Sequence, residues 1–254
     1  MIKIGYYDEV KNFGDILSPY LIKKLFNEDC IHTDWTECEL ISCGSIIDKV
    51  NYNQGNRTVA VWGSGAMWSY HSRENYVMQI LATRGKLTAD NFGHKGAIGD
   101  PALLLPLIIP KKEPTKELGI IPHYTDKEKA IEYFGSENII DIQTDPEEFT
   151  SQLLNYKYII SSSLHGLITA DAYQIPNVCV KFSNNILGDD FKYWDYYSIY
   201  DKQFKFVDLR KQCTEKELGW IQNHLVEYQP YNLNKIQKDL IQKFNDWNDR
   251  RKQK

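Results

Sequence analysis

The residues best suited to chemistry stand at the end of an apolar run, in YIISSSLHGLITADAYQIPNV (158–178). Three serines precede Leu-His-Gly, and an apolar helical pattern starts there. Ser162 or Ser163 is a natural N-cap, and the free amides of a first helical turn bind anions. His165 adds a titratable donor beside such an anion. A capped helix with a histidine held in a turn is the alternative, but the serine cluster at a strand end favours a phosphate or carboxylate site.

Two cationic residues follow another apolar run, in LATRGKLTADNFG (81–93). Arg84 and Lys86 come directly after the predicted strand, and a short helical pattern begins after them. A guanidinium at the carboxyl end of a strand suits a two-point grip on carboxylate or phosphate. An exposed basic turn is the alternative interpretation.

The loop after the first predicted strand, in YYDEVKNFGDILSPYL (6–21), carries polar groups next to a glycine. Asn12 offers an amide for a sugar hydroxyl, and Gly14 permits a ligand to approach the backbone closely. Asp15 by default caps the helix that follows. It is also a candidate to accept a proton.

Two later segments add candidates for binding a hydroxyl-rich ligand. His123 falls at the carboxyl end of the strand pattern in GIIPHYTD (119–126). In FKYWDYYSIY (191–200), aromatic residues including Tyr196 alternate with polar ones including Lys192. Aromatic faces with polar neighbours suit sugar rings, whereas a packed lid or core edge is the commoner structural role.

Composition excludes several classes of protein. The net charge of −4 over 254 residues gives no general attraction to nucleic acid. The sequence contains no phosphate-binding GxxxxGK[ST] loop, no HExxH and no zinc-type cysteine pattern, so no metal is expected. Five cysteines, no signal peptide and no apolar run of about 20 residues predict a cytoplasmic protein with reduced thiols.

Short apolar runs alternate with helical patterns along the chain, which predicts parallel sheets covered by helices. The charged stretch KKEPTKE (111–117) divides this alternation into two Rossmann-like halves. We expect domains at 1–110 and 117–230, followed by a C-terminal helix and basic tail at 231–254. The predicted strands are 2–7, 39–44, 58–63, 76–83, 118–123, 138–142, 156–161 and 177–182. The predicted helices are about 15–27, 126–134, 146–155, 165–174 and 233–251, the last packing back on the body.

The ordered set of these segments resembles the polysaccharide pyruvyl transferase family over about residues 1–200. The serine-rich Leu-His-Gly turn is its most specific member. The matching stretches are NFGD (12–15), WGSG (62–65), RGKLTAD (84–90), GDPALLLP (99–106), IPHY (121–124), SSSLHG (161–166), DAYQIP (171–176) and the aromatic run 191–197.

The resemblance implies a GT-B-like arrangement of the two domains and a reaction with phosphoenolpyruvate. Such proteins form a cyclic pyruvate ketal on a surface-polysaccharide sugar, with no nucleotide donor and no cofactor. The resemblance implies that His165 and Arg84 handle the phosphoenolpyruvate, and Asp15 or His123 is the candidate to take the acceptor proton, so the predicted catalytic residues are His165, Arg84 and Asp15. The predicted phosphoenolpyruvate-binding residues are Arg84, Lys86, Ser162, Ser163, Leu164, His165 and Gly166. The candidates for the acceptor side are Asn12, Asp15, His123, Lys192 and Tyr196.

Two other functions stay open from the sequence. A GT-B glycosyltransferase with a nucleotide sugar would present the same kind of helix-terminus phosphate site. A non-catalytic module of a polysaccharide assembly complex is the other, although such a module is expected to lose the charged strand-end residues. The expected partners are phosphoenolpyruvate and a sugar acceptor, for which a lipid-linked oligosaccharide is one source. The basic tail leaves open a peripheral contact with the inner face of the membrane.

Overall fold

The computed structural model describes residues 1–51, 58–69, 78–200 and 204–253. Within them, parallel strands alternate with helices, which confirms the predicted α/β class. The strands form two separate sheets, one of six strands and one of four.

The first sheet is built from the first hundred residues. Its strands are β1 (Ile2–Gly5), β2 (Cys30–His32), β3 (Leu40–Ile41), β4 (Val59–Ser64), β5 (Met78–Thr83) and β6 (Ala97–Ile98). They are parallel and lie in the order β2-β1-β3-β4-β5-β6. β4 is buried along its whole length, as expected of a central parallel strand with both faces covered. The helices are α1 (Phe13–Phe26), α2 (Ile47–Asn51), α3 (Lys86–Asn91) and the 3₁₀ helix Pro101–Leu107.

The second sheet contains β7 (Lys116–Ile121), β8 (Tyr156–Ser161), β9 (Asn177–Lys181) and β10 (Val207–Asp208), in the order β10-β9-β8-β7. Its strands are also parallel. The remaining helices are a short 3₁₀ turn at Tyr124–Asp126, α4 (Lys127–Phe134), α5 (Pro146–Leu153), α6 (Leu164–Ala172), α7 (Phe191–Tyr197), α8 (Glu215–Val226) and α9 (Asn234–Lys252).

The strand predicted at 138–142 is wrong. This segment makes a single bridge, between Ile139 and Ile120. Ile140 and Ile142 are buried, which produces the strand-like pattern. Pairing stops because Asp141 closes a turn, its carboxylate accepting from the backbone N–H of Gln143 at 3.0 Å.

Helices of the first half and elements of the second half meet in one apolar cluster. α6 packs against the 3₁₀ helix Pro101–Leu107, and α1 packs against α5. Phe13 on α1 stacks on Phe149 on α5 with ring centroids 4.2 Å apart. The core members that come from both halves include Leu17, Leu21, Leu103, Leu105, Ile121, Leu153, Leu167 and Ile168. Side-chain packing, and not only the connecting chain, therefore fixes one half against the other.

α9 returns to the first sheet, as the prediction of a helix packing back requires. Leu240 and Phe244 are fully buried, and Trp247 is nearly so. The Trp62 indole N–H donates to the Leu240 carbonyl at 2.9 Å. Gly99 is needed beneath this helix, because a Cβ there would lie 2.4 Å from a methyl carbon of Ile236. In the described part of the chain, no helix has the length and apolar character needed to span a membrane.

The basic end of α9 is tied to the body of the protein. Arg251 donates to Glu28 at 3.2 Å, and Lys252 also pairs with Glu28. Hydrogen bonds from Lys252 and Asn248 hold the pKa of Glu28 below its ordinary value, against the effect of burial. Arg251 and Lys252, two cations of the predicted basic tail, therefore form ion pairs with Glu28 in the loop after α1.

Phe244→Ala should reduce the unfolding free energy by about 3–5 kcal/mol, because the ring packs against Phe26 and Trp62 and leaves a cavity when removed. Urea unfolding measures this change. The adjacent exposed Lys243 gives the matched control, since Lys243→Ala should change stability by no more than about 0.5 kcal/mol. Equal stabilities of the two variants would show that α9 does not hold the first sheet.

Candidate active site

The serine cluster joins β8 to α6 through buried hydrogen bonds. The Ser162 hydroxyl donates to Asp126 at 2.8 Å and accepts from the backbone N–H of His123 at 2.9 Å. Ser161 Oγ lies 2.8 Å from the Ile121 carbonyl. These two side chains therefore fix the turn itself. Ser163 is the N-cap of α6, and its side chain makes no capping hydrogen bond.

The N–H groups in the first turn of α6 have no acceptor within the helix, as in any helix start. Leu164 and Gly166 are buried, so what these residues can offer a ligand is their backbone N–H groups. A Cβ at Gly166 would lie 2.5 Å from the Ser161 hydroxyl, which explains the glycine. The predicted anion site at this helix start therefore has its amides arranged by Ser161 and Ser162.

His165, in the same turn, contacts the first half of the chain. A Cβ on Gly14 would lie 1.9 Å from His165 Nδ1, so the imidazole occupies the space that the glycine leaves. His165 Nε2 lies 3.7 Å from Oδ2 of Asp100, and the side-chain exposures are 12% and 0%. Among the described residues, neither of these two atoms has a hydrogen-bond partner. The histidine thus sits between α1 and the start of the 3₁₀ helix Pro101–Leu107.

Asp15 and Lys192 are two buried residues of opposite charge that interact with each other. Burial raises the pKa of Asp15 to about 6, although His165 and Lys192 act in the opposite direction. Burial also lowers the pKa of Lys192 to about 8, and the Arg84 charge lowers it further, while Asp15 raises it. Asp15 lies in the first turn of α1 and Lys192 in the first turn of α7, so each half of the chain contributes one charge. Both groups are poised to exchange protons within about one pH unit of neutrality.

Arg84 is buried and already hydrogen-bonded. Its Nε donates to Asp195 at 2.9 Å, its Nη2 to the Ala66 carbonyl at 3.0 Å and its Nη1 to the Ser45 hydroxyl at 2.5 Å. The guanidinium lies flat on Gly65, where a Cβ would be 2.2 Å from its central carbon. Three of its five N–H groups therefore donate to described residues, and the side chain is only 1% exposed.

His123 lies beside Lys192 at the end of β7. Burial, and then the charge of Lys192, lowers the pKa of His123 to about 3, so its imidazole is neutral at pH 7. The backbone N–H of Thr125 points at His123 Nδ1, 3.4 Å away. This contact favours the tautomer with hydrogen on Nε2, a neutral donor suited to a hydroxyl or phosphate oxygen.

The other predicted residues occupy different environments. Asn12 caps α1, its side-chain oxygen accepting from the Gly14 N–H at 3.0 Å, so its amide N–H₂ group is left for other contacts. Lys86 is exposed at the first position of α3. Tyr196 is fully buried, and its hydroxyl donates to Asp171 at 2.9 Å. The predicted acceptor contact at Tyr196 does not match this position, because the ring belongs to the core.

Sequence reasoning missed the residues that support the charged groups. Asp195 and Ser45 hold Arg84, Asp126 holds Ser162, and Asp100 faces His165. Asp100 could have been predicted as a helix N-cap, because it is followed by a proline and then an apolar run. Within the described ranges, no group of three or more His, Cys, Asp or Glu side chains is arranged to hold a metal ion.

A cavity of about 170 Å³ lies beyond the carboxyl end of β9. Its walls include Lys181, Tyr193 and Phe206. Ser183, also in its wall, donates to Asp126 at 2.5 Å. Because Asp126 also accepts from the Ser162 hydroxyl, the cavity is linked to the α6 turn by two hydrogen bonds.

Comparison with known proteins identifies the family of the chain. The family profile described as polysaccharide pyruvyl transferase matches residues 12–184, a range that includes Asp15, Arg84 and His165. The chain belongs to the polysaccharide pyruvyl transferase family. It is 31% identical over 231 residues to the uncharacterized protein L143 of Acanthamoeba polyphaga mimivirus, with 84% of this chain and 78% of the viral protein covered. No solved structure matches the chain.

Asp15→Asn should stabilise the folded protein at pH 7.5 by on the order of 2 kcal/mol, because it removes a carboxylate whose charge is disfavoured by burial. The folded pKa lies above the ordinary value of 3.8, so the wild-type chain loses stability as pH rises from about 4 through about 6. The advantage of the variant should therefore shrink towards pH 4.

Urea unfolding at pH 4.5 and 7.5 measures this difference. Asp90→Asn, at an exposed carboxylate on α3, is the control. If Asp15→Asn destabilised the protein at pH 7.5, the buried charge would not be the costly feature of this position.

Proposed function

We propose that this chain transfers the enolpyruvyl group of phosphoenolpyruvate to two hydroxyls of a polysaccharide-precursor sugar, forming a cyclic pyruvate ketal and releasing phosphate. Family membership supports pyruvyl transfer onto a polysaccharide. The observation that carries the chemistry is that Asp15 on α1 interacts with the charges of both His165, in the first turn of α6, and Lys192. A helix-terminus anion site with adjacent proton donors is what this transfer requires.

We also propose a GT-B-like arrangement, with Rossmann-like domains at about 1–110 and 117–230 and the segment 231–254 returning to the first. Two separate parallel sheets and the position of α9 support this arrangement. In open parallel sheets, ligands bind beyond the carboxyl ends of the strands. Phosphoenolpyruvate and the sugar would therefore meet between the two sheets.

On the donor side, phosphoenolpyruvate carries a phosphate and a carboxylate, so it needs several cationic or N–H donors. The backbone amides of Leu164, His165 and Gly166 suit one anionic group. Lys192 adds an ammonium, and the buried Arg84 beside it adds a second positive charge. An amide cradle with two cations stabilises the negative charge of the leaving phosphate.

The reaction needs one proton delivered and two removed. His165 donates a proton to C3 as the C2–C3 double-bond electrons form the new C–H bond, which leaves an oxocarbenium-like C2. A sugar hydroxyl attacks C2, and its proton goes to Asp15, whose raised pKa suits a general base. Phosphate then leaves with its bonding electrons, and the second hydroxyl closes the ketal. The proton of that hydroxyl departs as part of hydrogen phosphate, so atoms and charge balance.

On the acceptor side, we place the sugar against Asn12, Asp15 and His123. The amide group of Asn12 and the neutral imidazole of His123 offer hydrogen bonds without adding charge. The cavity beyond β9, lined by Phe206 and polar side chains including Lys181, combines aromatic and polar groups of the kind that bind sugars.

Product analysis tests the proposal. Purified protein is incubated with phosphoenolpyruvate and a panel of lipid-linked and nucleotide-linked sugars, and inorganic phosphate release is followed. Acceptor-dependent phosphate release with a ketal in the product supports pyruvyl transfer. Release of nucleotide without consumption of phosphoenolpyruvate would instead indicate a glycosyltransferase. No turnover with any acceptor, together with no binding of phosphoenolpyruvate, would favour a non-catalytic module.

His165→Ala should lower turnover by about 10²- to 10⁴-fold while phosphoenolpyruvate still binds, because the general acid is lost and the backbone amides remain. His165→Gln keeps a hydrogen-bond donor but no transferable proton, so it should be equally slow. Initial rates of phosphate release at varied phosphoenolpyruvate separate the two effects.

The exposed His224 on α8 provides the control for this series, and His224→Gln should keep the wild-type rate. A His165→Gln variant that recovers most of the activity would limit His165 to holding the phosphate.

Affinity for phosphoenolpyruvate should fall as pH rises through about 8, because Lys192 loses its positive charge there. Its folded pKa is below the ordinary value of 10.5, so the loss begins well before an exposed lysine would deprotonate. Lys192→Arg keeps the charge and should remove this pH dependence. Calorimetric titration with phosphoenolpyruvate alone, between pH 7 and 9, measures the effect. An unchanged pH dependence in the arginine variant would exclude Lys192 as its cause.

A further inference from the structure

Asp100 and His165 form a pair of buried polar groups that stop just short of a hydrogen bond. The Nε2 and Oδ2 atoms are 3.7 Å apart, and among the described residues neither has another partner. Leaving such atoms unpaired in the interior costs free energy, so native proteins rarely do so without a functional reason. An N–H···O⁻ bond forms at about 2.7–2.9 Å, so a shift of about 1 Å completes it.

The backbone aims the Asp100 carboxylate at this ring. Gly99 adopts a φ of 150°, and Asp100 then caps the 3₁₀ helix Pro101–Leu107. Its Oδ1 accepts from the Ala102 N–H at 2.9 Å, which leaves Oδ2 directed at His165. That 3₁₀ helix packs against α6, on which His165 stands, so the two groups are held on elements in direct contact.

The groups around the Asp100 carboxylate determine which of them can form a hydrogen bond with its Oδ2 atom. Burial, and then the charge of Asp100 and a hydrogen bond to it, raises the pKa of the neighbouring Cys43 thiol well above its ordinary value, so the thiol stays neutral and is at most a weak donor to this carboxylate. Asp15, on α1, interacts with the charges of both His165 and Lys192. The imidazole is therefore the basic group in a position to pair with Oδ2.

We propose that Asp100 is a positioning residue: its carboxylate accepts the His165 Nε2–H, so that Nδ1 is the nitrogen that transfers the proton. This role rests on the proposed function. Because Nε2 faces Asp100, Nδ1 is the ring nitrogen left for the substrate, and it lies next to Gly14. The protonated ring gives its Nδ1 proton to C3 of phosphoenolpyruvate, and the N–H electron pair stays on Nδ1. The neutral ring that results keeps its Nε2 hydrogen on Asp100, which holds the ring orientation throughout.

Asp100→Asn and Asp100→Ser separate positioning from helix capping. Both residues cap helices well, so both variants should start the 3₁₀ helix normally and unfold at near the wild-type urea concentration. Both lack the carboxylate, so kcat for phosphate release should fall by about 10²-fold, within the contribution of a general acid, while KM for phosphoenolpyruvate changes less than threefold. Asp90→Asn, at an exposed carboxylate, controls for the loss of one charge.

Nitrogen-15 spectra of the histidine rings give a readout independent of activity. The His165 signals are identified by their absence in His165→Gln. In the wild-type protein at high pH, Nε2 should carry the hydrogen, and in Asp100→Asn this preference should be lost.

The outcomes are distinguishable. Unchanged ring signals and unchanged kcat in both Asp100 variants would overturn the positioning role. If the spectra show the Asp100-dependent tautomer but the wild-type protein does not consume phosphoenolpyruvate, the pair is supported and the proposed reaction is overturned.

Discussion

The buried ion pair between Arg84 and Asp195 is the contact on which the position of the other charged groups depends. It joins the turn after β5 to α7, and Asp195 also accepts from the Thr88 N–H and hydroxyl. A Cβ at Gly85 would lie 1.8 Å from the Asp195 carbonyl oxygen, so α7 rests directly on this turn. Removing one partner of such a pair typically costs about 3–5 kcal/mol, because the other charge is left buried. Lys192, on the same short helix, is thereby fixed beside Arg84.

Charge placement in this region works against stability. Burial disfavours the ionised forms of both Asp15 and Lys192, and the proximity of Arg84 disfavours the ammonium further. A core built only for stability would carry apolar side chains at these positions. Their retention is understandable if the same groups must hold an anionic ligand and exchange protons near neutral pH, because weakened solvation is what shifts their pKa values into that range. The shared apolar core between α1, α5 and α6 supplies the stability that offsets this arrangement.

Much of the fold could be predicted from the sequence, because the central parallel strands are continuous apolar runs and the main helices repeat apolar residues every three or four positions. The predictions failed where residues are buried but do not form the strand hydrogen bonds that their apolar pattern suggests. Ile140 and Ile142 are buried in a turn, not in a strand. α8 was not predicted, although Thr214 and Glu217 form a capping box at its start. Its large apolar side chains Leu218 and Trp220 are exposed, so the apolar residues do not mark one buried face.

For the site, the sequence predicts candidates for the chemistry: His165 after a serine turn, Arg84 after a strand, and Asp15 at the start of the first helix. Each stands out because a strand end followed by a helix start is a local pattern, and local backbone geometry exposes amides there. The partners of these residues follow from tertiary packing. Asp195 lies 111 positions from Arg84, and Asp100 lies 65 positions from His165. Sequence spacing does not fix which buried carboxylate meets which cation, since that depends on how the two sheets pack through the 3₁₀ helix Pro101–Leu107, α6 and α7.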